Sequence, residues 1–204
     1  MIRFLRRDRG QAFPIYIMMV AGLLFLALAF FAVGKASALR NGSQGAADAA
    51  ALAAAQKARD NFGPGFLGSL PLNTLDIFLE APFAAPCAEA ARLAAANDAD
   101  MKLCYPTPGY LRDLITVEVE GRKPVDSPVI PGSENKKANA KATALIEFNC
   151  PNPKVVDLNS DGVQDLYVFT CRSGEIVKIT TAEITPGLWE TVSRTLFDVR
   201  LVDQ

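Results

Sequence analysis

The stretch QAFPIYIMMVAGLLFLALAFFAVG, residues 11–34, decides the fold because it carries no charged residue over its whole length. An α-helix rises about 1.5 Å per residue and a bilayer core is about 30 Å thick, so roughly 20 apolar residues are enough to cross it. The stretch therefore predicts a transmembrane helix. Pro14 fits the first turn of such a helix, where the missing N–H costs little.

The ten residues before this stretch, MIRFLRRDRG, contain four arginines and one aspartate. Because Lys and Arg accumulate on the cytoplasmic side of a span, residues 1–10 are predicted to be a cytoplasmic basic leader and everything after residue 34 to be extracytoplasmic. A cleaved secretory signal is the alternative, since Ala36-Ser37-Ala38 has the form of a cleavage site. The apolar stretch is longer than the roughly 7–15 residues usual in a signal, which favours a retained single-pass membrane protein.

Alanine dominates the segment that follows the apolar stretch. Of the 31 alanines, 26 precede residue 101, and residues 35–60 read KASALRNGSQGAADAAALAAAQKARD. Alanine and leucine are strong helix formers, and Lys57 and Arg59 suit a helix C-terminus, so one helix is predicted over Pro14–Arg59. Its small side chains suit either docking on the chain's own globular part or close approach of neighbouring helices, and helical spacing leaves both open.

The string GAADAAALAAA from Gly45 to Ala55, placed after a basic start and a single N-terminal span, resembles the TadE/TadG-like family of Flp (Tad) pilus-assembly proteins. The resemblance covers about residues 5–60. It implies a non-enzymatic pilus-assembly or pseudopilin-like membrane protein. Its partners would be the lipid bilayer and other Tad pilus or secretion components.

The resemblance also raises the possibility of a prepilin leader, cleaved between Gly10 and Gln11. Tyr16 matches a tyrosine that is frequent in such proteins, whereas Ile15 stands where a glutamate is usual. The missing glutamate favours the TadG-like side of the family, whose members need not be processed. Leader cleavage, signal cleavage and a retained span all remain open.

Residues 61–204 are predicted to form an α+β ectodomain, with a pilin-like order of one long helix followed by an antiparallel sheet of four to six strands. Residues 61–86, rich in proline and glycine, are interpreted as a loop-rich linker in which Leu75–Leu79 is a short strand or turn. A second helix is expected at 87–100 and a surface connection at 121–139. The expected strands are 114–120, 142–148, 166–170, 175–180 and 195–202.

Four cysteines, Cys87, Cys104, Cys150 and Cys171, lie on the predicted extracytoplasmic side. An even number in an oxidising compartment predicts two disulfides, and three pairings are possible. Cys87–Cys104 and Cys150–Cys171 are preferred because each closes a short local loop. Since there is no C-x-x-C pair and no histidine, a zinc site is disfavoured.

The segment Asp157-Leu-Asn-Ser-Asp-Gly-Val-Gln-Asp165 places oxygen ligands at alternate positions of a tight turn. Calcium takes six to eight oxygens, and this spacing resembles the calcium loops of FG-GAP-type and thrombospondin-type proteins. The candidate Ca²⁺ ligands are the side chains of Asp157, Asn159, Asp161 and Asp165 and the carbonyl of Val163. Val168 stands where an EF-hand has its bidentate glutamate, so an EF-hand is excluded. An Asx-rich turn without an ion is the alternative.

The chain has no histidine, which excludes Ser-His-Asp and Cys-His catalysis and His-ligated metals. Its net charge of -1 argues against nucleic acid as a partner. With no recognisable nucleophile or paired carboxylates, no enzyme is expected. The alternative to a pilus-assembly protein is a membrane-anchored, calcium-stabilised surface or adhesion module that is unrelated to a pilus.

Overall fold

The computed structural model describes residues 12–126, 132–185 and 187–203. The helices are α1 (Ala12–Asn61), α2 (Gly63–Ser69), α3 (Leu75–Glu80), α4 (Cys87–Ala96) and α5 (Leu188–Leu196). The strands are β1 (Ala99–Thr107), β2 (Arg112–Pro124), β3 (Lys137–Phe148), β4 (Lys154–Val156), β5 (Leu166–Thr170), β6 (Ile176–Thr180) and β7 (Phe197–Val202). A 3₁₀ turn covers Thr181–Glu183.

One continuous helix joins the apolar stretch to the alanine-rich segment. Helix α1 is 50 residues long and crosses the predicted boundary at residues 34–35 without a break. At about 1.5 Å per residue it measures roughly 75 Å. The predicted α+β class, with a long N-terminal helix that runs into a small antiparallel domain, is confirmed.

The strands form two antiparallel sheets in the described part of the chain. The larger has the order β1-β2-β3-β7, and the smaller has the order β4-β5-β6. The prediction of a single sheet with four to six strands was wrong, because the loop of residues 157–165 and the Ser173-Gly174 turn fold β4, β5 and β6 into a meander of their own.

Helix α1 lies along one face of the larger sheet with the direction of β3. The amide Nε2 of Gln44 donates to the carbonyl of Lys141 at 3.2 Å near the start of β3. The ring of Phe66, one turn beyond the end of α1, lies 6.1 Å from that of Phe148 at the end of β3. β3 therefore runs in the same direction as α1, and β2, which pairs antiparallel with β3, runs in the opposite direction.

An alanine stripe makes this packing possible. It consists of seven side chains that are at most 1% exposed: Ala46, Ala47, Ala50, Ala51, Ala54, Ala55 and Ala58. Because alanine projects only a methyl group, the helix axis lies close to the sheet. At Gly121 on β2 the approach leaves no room for a side chain, because an added Cβ would lie 2.6 Å from Oγ of Ser43.

An aromatic cluster closes the distal end of the core, beyond the alanine stripe. The ring of Phe66 lies 5.2 Å from Trp189, and Phe148 lies 5.1 Å from Phe197, measured between ring centroids. Phe169 of the smaller sheet joins them at 5.8 Å from Phe66. These rings join α2, α5 and both sheets into one hydrophobic core.

Several local predictions need correction. Leu75–Leu79, expected as a strand or turn, begins helix α3, because Leu75 and Leu79 occur one turn apart and both face the core. The linker of 61–86 therefore holds two short helices. The helix expected at 87–100 ends at Ala96, and residues 99–100 open a strand that the alanine pattern concealed.

The sheet boundaries also differ from the prediction. β2 and β3 extend into the expected surface connection of 121–139, to Pro124 and from Lys137. Arg112 to Glu120 pairs with Glu147 to Asn139 in register. The strand expected at 195–202 begins at Phe197, since α5 continues to Leu196.

The packing predicts that replacement of alanine by leucine has a much larger effect on stability at one position of α1 than at another. Ala50 is 0% exposed, so Ala50→Leu overpacks the interface between helix and sheet and is expected to destabilise the fold by about 1–3 kcal/mol. Urea unfolding of the full chain in detergent micelles, followed by tryptophan fluorescence of Trp189, measures this.

Ala38→Leu is the matched control, because Ala38 is exposed on the same helix. Alanine and leucine are both good helix formers, so the substitution itself does not disturb the helix. Its free energy of unfolding should change by less than about 0.5 kcal/mol. Equal losses at the two positions would contradict the alanine stripe as the packing interface.

Candidate functional site

The first surface with functional potential is the exposed apolar part of α1. Large side chains from Phe13 to Phe31 are mostly between half and four-fifths exposed, for example Met18 at 78% and Phe30 at 74%. An 18-residue window of this helix reaches a mean hydropathy of 2.6 with only 6% of it buried. The helix is long and apolar enough to span a membrane.

The alanine string that carried the family resemblance lies in the C-terminal half of α1, after the exposed apolar part. Most of its side chains pack against β2, β3 and α4, so they are enclosed by the chain's own α+β domain. Of the two readings that helical spacing left open, docking on the chain's own globular part is the one the structure shows. The large exposed apolar side chains of α1 all lie in its other, N-terminal half.

A groove at the distal end of the molecule was not evident from the sequence. It has a volume of about 990 Å³ and runs between α2, the 3₁₀ turn and α5. Its apolar lining includes Pro64, Leu67 and Ile184, and Asp60 and Arg194 are among its charged residues. The groove depends on segments distant in sequence, so no local pattern could have revealed it.

Trp189 borders this groove but belongs to the hydrophobic core. The side chain is 6% exposed, and its Nε1 donates to the carbonyl of Arg59 at 3.1 Å. That hydrogen bond gives a partner to a backbone carbonyl in the last turn of α1. An added Cβ on Gly63 would lie 2.7 Å from the indole, which fixes a glycine there.

The four cysteines form the two local disulfides that were preferred, Cys87–Cys104 and Cys150–Cys171. The first ties the start of α4 to β1. The second ties the end of β3 to the end of β5, and so joins the two sheets covalently. Closing loops of 17 and 21 residues is worth roughly 3 kcal/mol each in the chain-entropy picture.

The calcium-like loop connects β4 to β5 as a compact exposed turn. Both carboxylate oxygens of Asp157 accept backbone N–H groups, from Ser160 at 2.7 Å and Gly162 at 3.1 Å. Asp165 accepts from the N–H of Leu158 at 2.7 Å. Gly162 has a φ of +84°, the left-handed conformation that the turn requires.

The other two predicted side-chain ligands of the loop also bind its own atoms. Oδ1 of Asn159 accepts from the N–H of Asp161 at 3.0 Å, and Oδ1 of Asp161 accepts from the N–H of Val163 at 2.8 Å. Among the described residues no group of three or more acidic, histidine or cysteine side chains is arranged to hold a metal ion. Calcium binding therefore stays a prediction.

The strongest electrostatic feature is a buried glutamate on β3 that three arginines surround. Glu147 has a side chain only 5% exposed and pairs with Arg112 at 3.1 Å, Arg200 at 2.7 Å and Arg172. These partners come from β2, β7 and the turn after β5. The cluster therefore joins the edge and centre of the larger sheet to the smaller sheet.

The arginines control the ionisation of Glu147. Burial by itself raises the pKa of this carboxyl, but hydrogen bonds from Arg200 and Arg172 and the charge of Arg112 outweigh it and lower the pKa to about 2. Asp113 on β2 shows the reverse case. Burial raises the pKa of Asp113 to about 6, opposed only by a hydrogen bond from the N–H of Gly109.

Two sequence predictions lie outside the described residues. The proposed processing site at Gly10 and Gln11 and the basic leader of residues 1–10 both precede Ala12, where the description of the chain begins.

The Glu147 cluster predicts a pH-dependent stability. Because the folded pKa of about 2 is below the unfolded value of 4.5, its contribution is present above about pH 4.5 and is lost as the pH falls toward 2. Glu147→Gln should cost roughly 1–3 kcal/mol at pH 7 and progressively less below pH 4. Urea unfolding of the wild-type chain and the variant at pH 7 and at pH 2.5 measures the difference in the free energy of unfolding.

Glu118→Gln serves as the control, since Glu118 lies on the same sheet, is 37% exposed and pairs with Lys141 at 3.9 Å. Exposed pairs of this kind contribute little, so a change under about 0.5 kcal/mol is expected at either pH. A penalty for Glu147→Gln that is the same at pH 7 and pH 2.5 would contradict the charge-based account.

Comparison with known proteins gives one match. No curated protein and no solved structure matches the chain. Residues 10–57 match the family model described as putative Flp pilus-assembly TadE/G-like. The match covers the apolar half of α1 and all but the last alanine of the buried stripe. Residues 10–57, about a quarter of the chain, are thus similar to the TadE/G-like Flp pilus-assembly family.

Proposed function

We propose that this protein is a non-enzymatic, pseudopilin-like membrane component of Tad/Flp pilus assembly. Its N-terminus is cytoplasmic, α1 crosses the membrane once, and the α+β domain is displayed on the other side. The TadE/G-like segment supports a role related to pilus assembly. The finer assignment rests on how that segment is used in the fold.

The observation that carries the proposal is that the span and the spine of the domain are one helix. In α1 the large apolar residues before Ala32 are exposed, whereas seven of the alanines after Gly45 are buried in the core. Since no linker separates the two halves, a movement or contact of the span in the membrane is transmitted directly to the domain. A rigid link of this kind suits a part that holds other components in place.

The proposal predicts protein partners along the exposed span. Phe25 and Phe30 are 63% and 74% exposed, so each can be replaced by the photoreactive p-benzoylphenylalanine at little cost to folding. Irradiating cells that carry the complete Tad system should give adducts with other Tad membrane proteins. Phe66, which is 0% exposed, is the control position and should give none.

Two outcomes would contradict this part of the proposal. Adducts with lipid alone at both span positions would mean that α1 is only an anchor. Pilus assembly that is unchanged after deletion of the gene would favour the alternative, an anchored surface module.

We also propose that the Asp157–Asp165 loop binds calcium in the extracytoplasmic medium. The supporting observation is that the side chains of Asp157, Asn159 and Asp161 turn into one tight bend around Gly162. An ion there would take over from backbone N–H groups as the partner of the carboxylates. Without a glutamate at the position of Val168, the affinity expected is in the range of about 10⁻⁴–10⁻³ M of extracellular modules.

Calcium removal tests this second proposal. EDTA should lower the melting temperature of the full chain relative to buffer with a few millimolar calcium, and Asp161→Ala should abolish the difference. Glu183→Ala, an exposed acidic residue outside the loop, should leave the difference intact. If the wild-type melting temperature is the same with EDTA and with calcium, the loop is an Asx-rich turn without an ion.

A further inference from the structure

The ectodomain covers one side of α1 from the level of Ala32 toward the C-terminal end of the helix. Ala32 is 3% exposed, although its neighbours Phe31 and Val33 are 69% and 64% exposed. From this residue a covered stripe continues at helical spacing through Ala36 and Leu39 to Ser43, which is 4% exposed. The rest of the chain therefore occupies one side of the helix from residue 32 onward.

This level limits the part of α1 that lipid can surround. Residues 12–31 number 20 and span about 30 Å, which equals the thickness of a bilayer core. A deeper position of the helix would push folded, polar backbone of the ectodomain into hydrocarbon, where unsatisfied groups cost several kcal/mol each. A shallower position would expose large apolar side chains such as Phe30 and Phe31 to water.

The part of the ectodomain nearest to this level is the end of the β2–β3 pair. Nζ of Lys35 donates to the carbonyl of Asp126 at 3.0 Å. Two backbone hydrogen bonds continue the pair beyond the strands, from Val125 to Lys136 at 2.8 Å and from Asp126 to Ser133 at 3.1 Å. Strand β7 ends earlier, opposite Thr143, so β2 and β3 project beyond it toward residue 32.

Lysine side chains cluster at this end. Lys35 lies three residues, or about 5 Å, above Ala32, which is within a headgroup layer roughly 5–8 Å thick. Lys136 flanks the described end of the pair and is exposed, as is Lys123, whose Nζ pairs with Asp98 at 2.8 Å. Lysine ammonium groups at this height can reach lipid phosphates while their aliphatic stems stay along the surface.

We propose that this end of the β2–β3 pair, defined as Lys123–Asp126 and Ser133–Lys137, lies on the phosphate headgroups of the bilayer that α1 spans. The inference rests on the proposed membrane anchoring and extends it: the domain stands on the membrane surface on one side of the helix. The distal groove then faces away from the bilayer, because Asp60 lies about 40 Å further along α1.

Depth-dependent fluorescence quenching in lipid nanodiscs tests the contact with the full chain. There are no free cysteines in the described chain, so one introduced cysteine can carry a fluorophore. Asn135→Cys places the label at the proposed contact, Glu190→Cys places it at the distal groove, and Met19→Cys places it in the span. The nanodiscs contain phosphatidylcholine and phosphatidylglycerol with a spin label on either the headgroup or the acyl chain.

The inference predicts a several-fold greater loss of emission at residue 135 than at residue 190 with headgroup spin labels. Equal quenching at residues 135 and 190 would overturn it. The Met19 label separates the two proposals: absence of quenching by acyl-chain spin labels there would contradict membrane anchoring itself. Quenching at residue 19 without quenching at residue 135 would leave the anchor standing and remove only the surface contact.

Discussion

The fold depends on the contact between the alanine stripe of α1 and the larger sheet. Methyl side chains allow the helix to lie close to β2 and β3, and Gly121 opposite Ser43 leaves no room for a side chain. Burial of seven alanines at 1% exposure or less removes a continuous apolar strip from water. Because the same helix continues without a break into the apolar stretch, this contact joins the domain directly to that stretch.

Three further features connect the remainder of the domain to the core formed by α1 and the larger sheet. The aromatic cluster around Phe66 fills the distal end, where α1 no longer covers the sheet. The Cys150–Cys171 disulfide and the Arg172–Glu147 pair join the smaller sheet to the larger one. Glu147 shows why a buried charge is tolerated here: with three arginines as partners, ionisation of its carboxyl is favoured despite burial.

The division of α1 into two halves explains how one sequence motif relates to function. The alanine-rich string that resembles the TadE/G-like family is buried within the chain, where it packs against the α+β domain. The apolar half keeps its large side chains exposed. A function that needs a rigid connection between membrane contacts and a displayed domain requires both halves and the absence of a hinge between them.

The sequence by itself determined the long helix, its apolar and alanine-rich halves, the α+β class and the strands at 166–170 and near 114–120 and 142–148. These follow from uncharged length, helix propensity and alternation of apolar residues, which are local properties. It also favoured the correct disulfide pairing, since short loops close at low cost.

Tertiary structure decided the features in which distant segments meet. Leu75–Leu79 is helical because its apolar pair faces a core supplied by other elements, and β1 is a strand because β2 pairs with it. The division into two sheets, the arginines around Glu147 and the distal groove likewise depend on contacts between residues far apart in sequence. No local pattern encodes such contacts, because the energy that selects them comes from packing and pairing in three dimensions.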